Sequence, residues 1–148
     1  MIATRRQLVA AIACMAIALP LSSIAAEDKA AQKPQKERVV IQVSDADPQK
    51  WNLALNNAKN IQTDLGADKT EVEIVAYGPG IGMLKADALT ANRVQDAMAA
   101  GVRFVACGKS MQAQHLTRDD MIDGLAYANA GYVELMRLQQ QGWAYIRP

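Results

Sequence analysis

Cys107 carries the most nucleophilic side chain in the carboxyl-terminal two thirds of the chain, and Gly108, Lys109 and Ser110 follow it directly. A thiolate is favoured by a neighbouring cation and by the backbone N–H groups at a helix amino terminus. Cys107 closes the short apolar run over residues 102–107 (VRFVAC), which reads as a strand, so the three residues after it would offer N–H groups, an ammonium and a hydroxyl to a charged sulfur. The competing reading makes Cys107 a small apolar residue that ends a buried strand, and both readings stay open on these residues alone. A second candidate is the turn Gly78-Pro79-Gly80, in which the N–H groups of Gly78 and Gly80 suit a small anion.

Several better-known chemistries fail on spacing. Cys107-Gly108-Lys109-Ser110 ends like a nucleotide phosphate loop, but Arg103 stands where that loop needs its first glycine. A cysteine phosphatase loop wants an arginine six residues after the thiol, where Ala113 stands. The glycine turn lacks the third glycine of a dinucleotide fingerprint, because Met83 occupies that place. His115 is the single histidine, and no spacing supports a metal site or a bound cofactor. It reads as a solvated residue on a polar helix. Asp119, Asp120 and Asp123 lack the spacing of a calcium loop and read as the start of a solvated helix. Met83, Met98, Met111, Met121 and Met136 read as core filling.

These candidates need elements to position them. Residues 38–44 (RVVIQVS) are rich in β-branched side chains and predict a strand, and Asp47-Pro48 predicts a helix start. Trp51, Ala54, Leu55, Ala58, Ile61 and Leu65 then recur at helical spacing up to Gly66. A second strand is expected over 71–77, a helix over 91–100 and a third strand over 102–107. A polar helical stretch is expected over 111–125, broken near Thr117, then a short strand over 126–130, a helix over 132–141 and a last strand over 143–146. Parallel strands need crossovers of helical length, so the alternation predicts an α/β fold, a three-layer sandwich with helices on both faces of a mostly parallel five-stranded sheet. Ligands in such sheets sit beyond the carboxyl ends of the strands, the edge where Cys107 and the glycine turn fall.

The chain has 148 residues, 51% apolar and 21% charged, which suits one folded domain and excludes a solvating tail. Residues 1–25 have the parts of a signal peptide: Arg5 and Arg6, an apolar stretch over 8–19, then Pro20 and small residues. As helix that stretch covers roughly 18 Å against about 30 Å of bilayer core, too short for a retained anchor. Cleavage near Ala25 or Ala26 and a periplasmic location are expected, by the general route or, given Thr4-Arg5-Arg6-Gln7-Leu8, the twin-arginine route. Cys14 would leave with the segment and Cys107 would remain as the lone thiol. Loss of Arg5 and Arg6 takes the formal charge from +1 down by two, to −1, which disfavours nucleic acid and anionic membrane as partners. Residues 26–37 read as a flexible polar linker, and 38–148 as the folded unit.

The segments over 72–81 (VEIVAYGPGI), 105–111 (VACGKSM) and 138–148 (LQQQGWAYIRP) together resemble the DsrE/DsrF-like family in its exported branch. The resemblance implies a small α/β domain with a mostly parallel five-stranded sheet, assembled as a homotrimer or larger homo-oligomer. Some cytoplasmic members relay sulfur as a persulfide on a cysteine in the loop after the third strand, the position that Cys107 matches. Tyr77 stands where the family usually has a histidine, and Lys109 where asparagine is common. One function follows directly: a sulfur carrier or sulfurtransferase holding a persulfide on Cys107, supported by Gly108, Lys109, Ser110, Gly78 and Gly80, with a sulfur donor or acceptor protein as partner. The alternative is a non-catalytic oligomeric module that binds a small ligand or serves assembly. Self-association is expected from Tyr132, Leu135, Met136, Trp143 and Tyr145, which exceed what one such domain readily buries.

Overall fold

Five strands form one sheet, all parallel, in the order β4-β3-β2-β1-β5 in a computed structural model whose described residues are 36–148. The strands are β1 (Glu37–Val43), β2 (Thr70–Ala76), β3 (Arg103–Cys107), β4 (Ala126–Ala128) and β5 (Ala144–Ile146). The helices are α1 (Pro48–Leu65), α2 (Ala91–Ala99), α3 (Gly108–Ala113) and α4 (Gly131–Gln140). The expected signal peptide and nearly all of the expected linker lie outside the described residues, and Glu37, the last linker position, is the first residue of β1.

Local chemistry explains the element ends. The Asp47 carboxylate accepts the Gln49 N–H at 2.8 Å, and Pro48 occupies the first turn of α1, where a missing N–H has no consequence. Gly66 closes α1 at φ 95°, a backbone region that a side chain would strain, and donates to the Gln62 carbonyl at 3.0 Å. The Trp51 indole N–H donates to Asp45 O at 2.7 Å and pins the first turn of α1 to the loop after β1.

Alternation along the strands divides the buried side chains between two layers. Ile41, Ile74 and Phe104 meet Leu55 of α1 and Val94 of α2 in the larger core. Val40, Val75 and Val105 point the other way and meet Leu135 and Leu138 of α4 in a smaller one. The chain lays down β1 to β4 towards one edge of the sheet, then crosses through α4 to place β5 beyond β1. The three-layer sandwich expected from the sequence is therefore present, with the sheet wholly parallel.

Three expectations are corrected. The polar helix expected over 111–125 is α3, which opens earlier, at Gly108, and ends by Ala113. The stretch Arg118–Asp120 is a single 3-10 turn, closed by Asp120, whose carboxylate accepts the Thr117 N–H at 2.7 Å and hydroxyl at 2.8 Å. Of the methionines, Met83, Met111 and Met121 are core residues, whereas Met136 lies on the outer face of α4 and is exposed.

Candidate functional site

Cys107 is the last residue of β3 and the cap of α3, in extended backbone at φ −80° and ψ 113°. Its side chain lies under the amino end of α4, because Gly131, the first residue of α4, passes directly over it. A Cβ added to Gly131 would stand 3.2 Å from the Cys107 Cβ, 3.0 Å from the Tyr77 Cβ and 3.2 Å from the Val75 Cγ1. Only glycine permits this approach without a shift of the helix.

The sulfur lies among donors. Burial pushes the Cys107 thiol up, and hydrogen bonds from the Ser110 hydroxyl and from the backbone N–H groups of Gly131, Ser110 and Lys109 outweigh it, so its pKa falls below the ordinary cysteine value. The Ser110 hydroxyl oxygen also accepts the Gly78 N–H at 2.7 Å, which ties the glycine turn to the thiol. The Gln114 side-chain amide reinforces that tie by donating to Gly78 O at 2.9 Å. Lys109 contributes through its backbone: its N–H also donates to Asn129 O at 3.0 Å, while its side chain is exposed.

The structure brings Cys107, Gly108, Lys109, Ser110 and Gly78 together, but it changes two roles expected for them. The N–H groups of Gly78 and Gly80 are committed within the fold, to Ser110 Oγ and to Tyr77 O at 3.1 Å, so the turn positions Ser110 and holds no free donors for an anion there. Gly80 is needed for close packing, since a Cβ would stand 2.4 Å from Val43 O at the end of β1. The second change concerns access: Cys107 sits at the rim of the sheet as expected but is only 1% exposed. His115 follows the far end of α3, exposed, in a left-handed turn at φ 56°, and does not approach the sulfur as a base.

Gly131 and Tyr132 are the site residues that sequence reasoning missed. Gly131 opens a helix immediately after a short strand, and that was the available signal. Tyr132 packs edge-on against Tyr77, with ring centroids 6.5 Å apart and planes at 78°. The two rings border an open groove of about 530 Å³ that continues over Gln42, Met136 and Tyr145, on the same side of the sheet as the thiol's glycine cover. Among the described residues no group of three or more His, Cys, Asp or Glu side chains is placed to hold a metal ion.

Comparison with known proteins places this arrangement in a family. Residues 37–148 match the DsrE/DsrF-like family. A solved structure of MTH1491, a protein of unknown function from Methanobacterium thermoautotrophicum, is 33% identical, with a TM-score of 0.73 over 76% of this chain and 100% of that one. BT1422, a conserved protein of unknown function from Bacteroides thetaiotaomicron, is 11% identical, with a TM-score of 0.63 over 76% of this chain and 95% of that one. The ychN protein from E. coli is 13% identical, with a TM-score of 0.59 over 76% of this chain and 99% of that one. The last two share the fold and carry no argument beyond it. No curated protein matches the chain significantly. The family match spans the entire sheet, all four helices and the thiol's surroundings, and the chain belongs to the DsrE/DsrF-like family.

Proposed function

We propose that this protein is a sulfur carrier that holds a persulfide on Cys107. The observation that carries the reading is a buried thiol at a strand tip beneath Gly131, whose pKa the neighbouring Ser110 hydroxyl and the backbone N–H groups of Gly131, Ser110 and Lys109 lower in spite of burial. Fixed donors stabilise an anion without reorganising when charge develops, which serves a thiolate and a persulfide anion alike. The Cys107 thiolate attacks the outer sulfur of a donor persulfide. A new S–S bond forms to Cys107, the donor's S–S bond breaks and the donor leaves as a thiolate. An acceptor thiolate then attacks the outer sulfur on Cys107, and Cys107 leaves as the thiolate it began as. Two electron pairs move in each step, and no external oxidant is needed.

Burial of the sulfur sets the condition under which this chemistry runs. Donor and acceptor reach Cys107 only when Gly131 moves off it, so transfer is coupled to opening of the amino end of α4. In the same reading the mature protein begins after a signal peptide over 1–25, acts in the periplasm, and assembles as a homotrimer or larger through the face bearing exposed Tyr132, Met136 and Tyr145. Leu135 belongs to the core instead, and light scattering at micromolar concentration tests the assembly, a monomer being the refuting result. The purified protein incubated with a persulfide donor should gain one sulfur atom on the Cys107 peptide, readable by mass spectrometry and absent from Cys107→Ser. An unmodified Cys107 peptide refutes the carrier.

The 1% exposure of Cys107 favours a second reading, in which the thiol is structural and the protein is a non-catalytic oligomeric binding or assembly module. In that case Cys107→Ala leaves the oligomer unchanged, and the thiol resists alkylation at every pH at which the protein stays folded.

A further inference from the structure

The amino ends of the strands carry a second feature that the thiol does not use. Glu73 in β2 faces Arg103 in β3, its register partner, and Arg103 Nη1 reaches Glu73 Oε2 at 2.5 Å. The other carboxylate oxygen, Oε1, is buried and has no hydrogen-bond partner among the described residues. The indole nitrogen of Trp143 is likewise buried and without a partner. Glu73 and Trp143 line one hollow of about 540 Å³, together with Glu71, Glu134, Lys36 and Arg103.

The two orphan atoms have opposite hydrogen-bonding sense. Oε1 is an acceptor and the indole N–H can only donate. A buried polar group left unpaired is costly enough that native proteins rarely keep one unless something else fills it. Charge selects what fills this one. Three carboxylates line the hollow against two cations, and one of those cations, Arg103, is already paired with Glu73. We propose that the hollow binds a small amino-alcohol, whose ammonium donates to Glu73 Oε1 and whose hydroxyl oxygen accepts the Trp143 indole N–H. A hydroxyl suits the second position better than a carboxylate, since the lining already carries an excess of negative charge. Arg103 holds Oε2 alone, so Oε1 is left for the ligand's ammonium while the ion pair stays in place. The site lies at the opposite end of the sheet from Cys107 and does not depend on the thiol's chemistry.

The two tryptophans make the test internal to the protein. The Trp51 indole N–H is already bonded to Asp45 O, so it serves as the reference for Trp143. Ethanolamine titrated into the full folded protein should shift the Trp143 indole resonance in a nitrogen–proton correlation spectrum and leave that of Trp51 in place. Ethylene glycol, without the charge, should bind at least about tenfold more weakly, and ethylamine, without the oxygen, about threefold more weakly. Glu73→Gln should lose about tenfold in ethanolamine affinity. Trp143→Phe, followed through the backbone amide resonances of the residues lining the hollow, should abolish the difference between ethanolamine and ethylamine. The proposal is overturned if neither indole moves, if both move alike, if ethylene glycol equals ethanolamine, or if Glu73→Gln binds as the parent does. Should Glu73→Gln fail to fold, the indole titration of the parent protein decides alone.

Discussion

Cys107 and Glu73 are each 1% exposed, on the same sheet, yet their acidities move in opposite directions. Burial pushes the Glu73 carboxyl up; Arg103 pulls it down and nearby Glu134 adds to the rise, leaving its pKa above the ordinary carboxylate value. Burial also pushes the Cys107 thiol up, but a hydroxyl and three N–H groups reverse the outcome. The difference lies in the donor count. One guanidinium on one oxygen does not compensate a buried carboxylate, whereas a ring of donors around a single sulfur more than compensates a thiolate. Desolvation therefore fixes neither group's charge; the donors around each one do. Cys107 lies where loops and helix amino termini converge, and Glu73 lies in the middle of β2 beside the first residue of β3, where they do not.

The contrast breaks most severely at Gly131. Gly131→Ala places a methyl group against Cys107, Tyr77 and Val75, which should lower stability by about 1–3 kcal/mol and push α4 off the sulfur. Denaturant titration reads the first effect. An upward move in the pH midpoint of Cys107 alkylation reads the second, and an unmoved midpoint would show that the Gly131 N–H does not support the thiolate. Ser110→Ala comes next. It removes a donor from the sulfur and leaves the Gly78 N–H without its acceptor, at a cost of about 1–2 kcal/mol, and the alkylation midpoint should again rise.

A subtler test uses the sign of the pH dependence. For Cys107 the folded pKa is lowered, so between that value and the ordinary one the unfolded chain holds more protons and stability rises with pH. Its contribution is complete above the unfolded pKa and is lost as pH falls through the folded one. For Glu73 the folded pKa is raised, so the contribution is complete below the ordinary carboxylate value and is lost as pH rises through the folded one. Cys107→Ala should flatten the alkaline slope and Glu73→Gln the acidic slope, each without altering the other. If one substitution flattens both, the two ends of the sheet are coupled. The smallest effect belongs to Lys109→Ala. The backbone N–H remains and the lost ammonium is solvated, so stability should change by no more than about 0.5 kcal/mol and the alkylation midpoint should stay where it was.

The contrast also marks what the sequence made readable. Strand and helix order was legible because β-branched runs alternate with helical spacing, and Cys107 fell at a strand tip for the same reason. The early start of α3 was not, since Gly108-Lys109-Ser110 reads locally as a break; the helix is held by long-range contacts, among them Ser110 with Gly78. Burial of the thiol was one of two readings left open, and what covers it was hidden for a related reason. The residue covering it, Gly131, is 24 positions away in sequence and reaches it only through the crossover from β4 to α4. Glu73 misleads by pattern: Glu71 and Glu73 alternate with apolar residues as on a solvent-facing strand, yet α4 covers that face and Glu73 is buried.

The two border strands, β4 and β5, have only three residues each. A strand of that length leaves few free amide and carbonyl groups for a stranger's backbone to extend, a recognised safeguard against runaway stacking. Each border therefore offers a second sheet little backbone to extend, and what projects from these edges is mainly side chain.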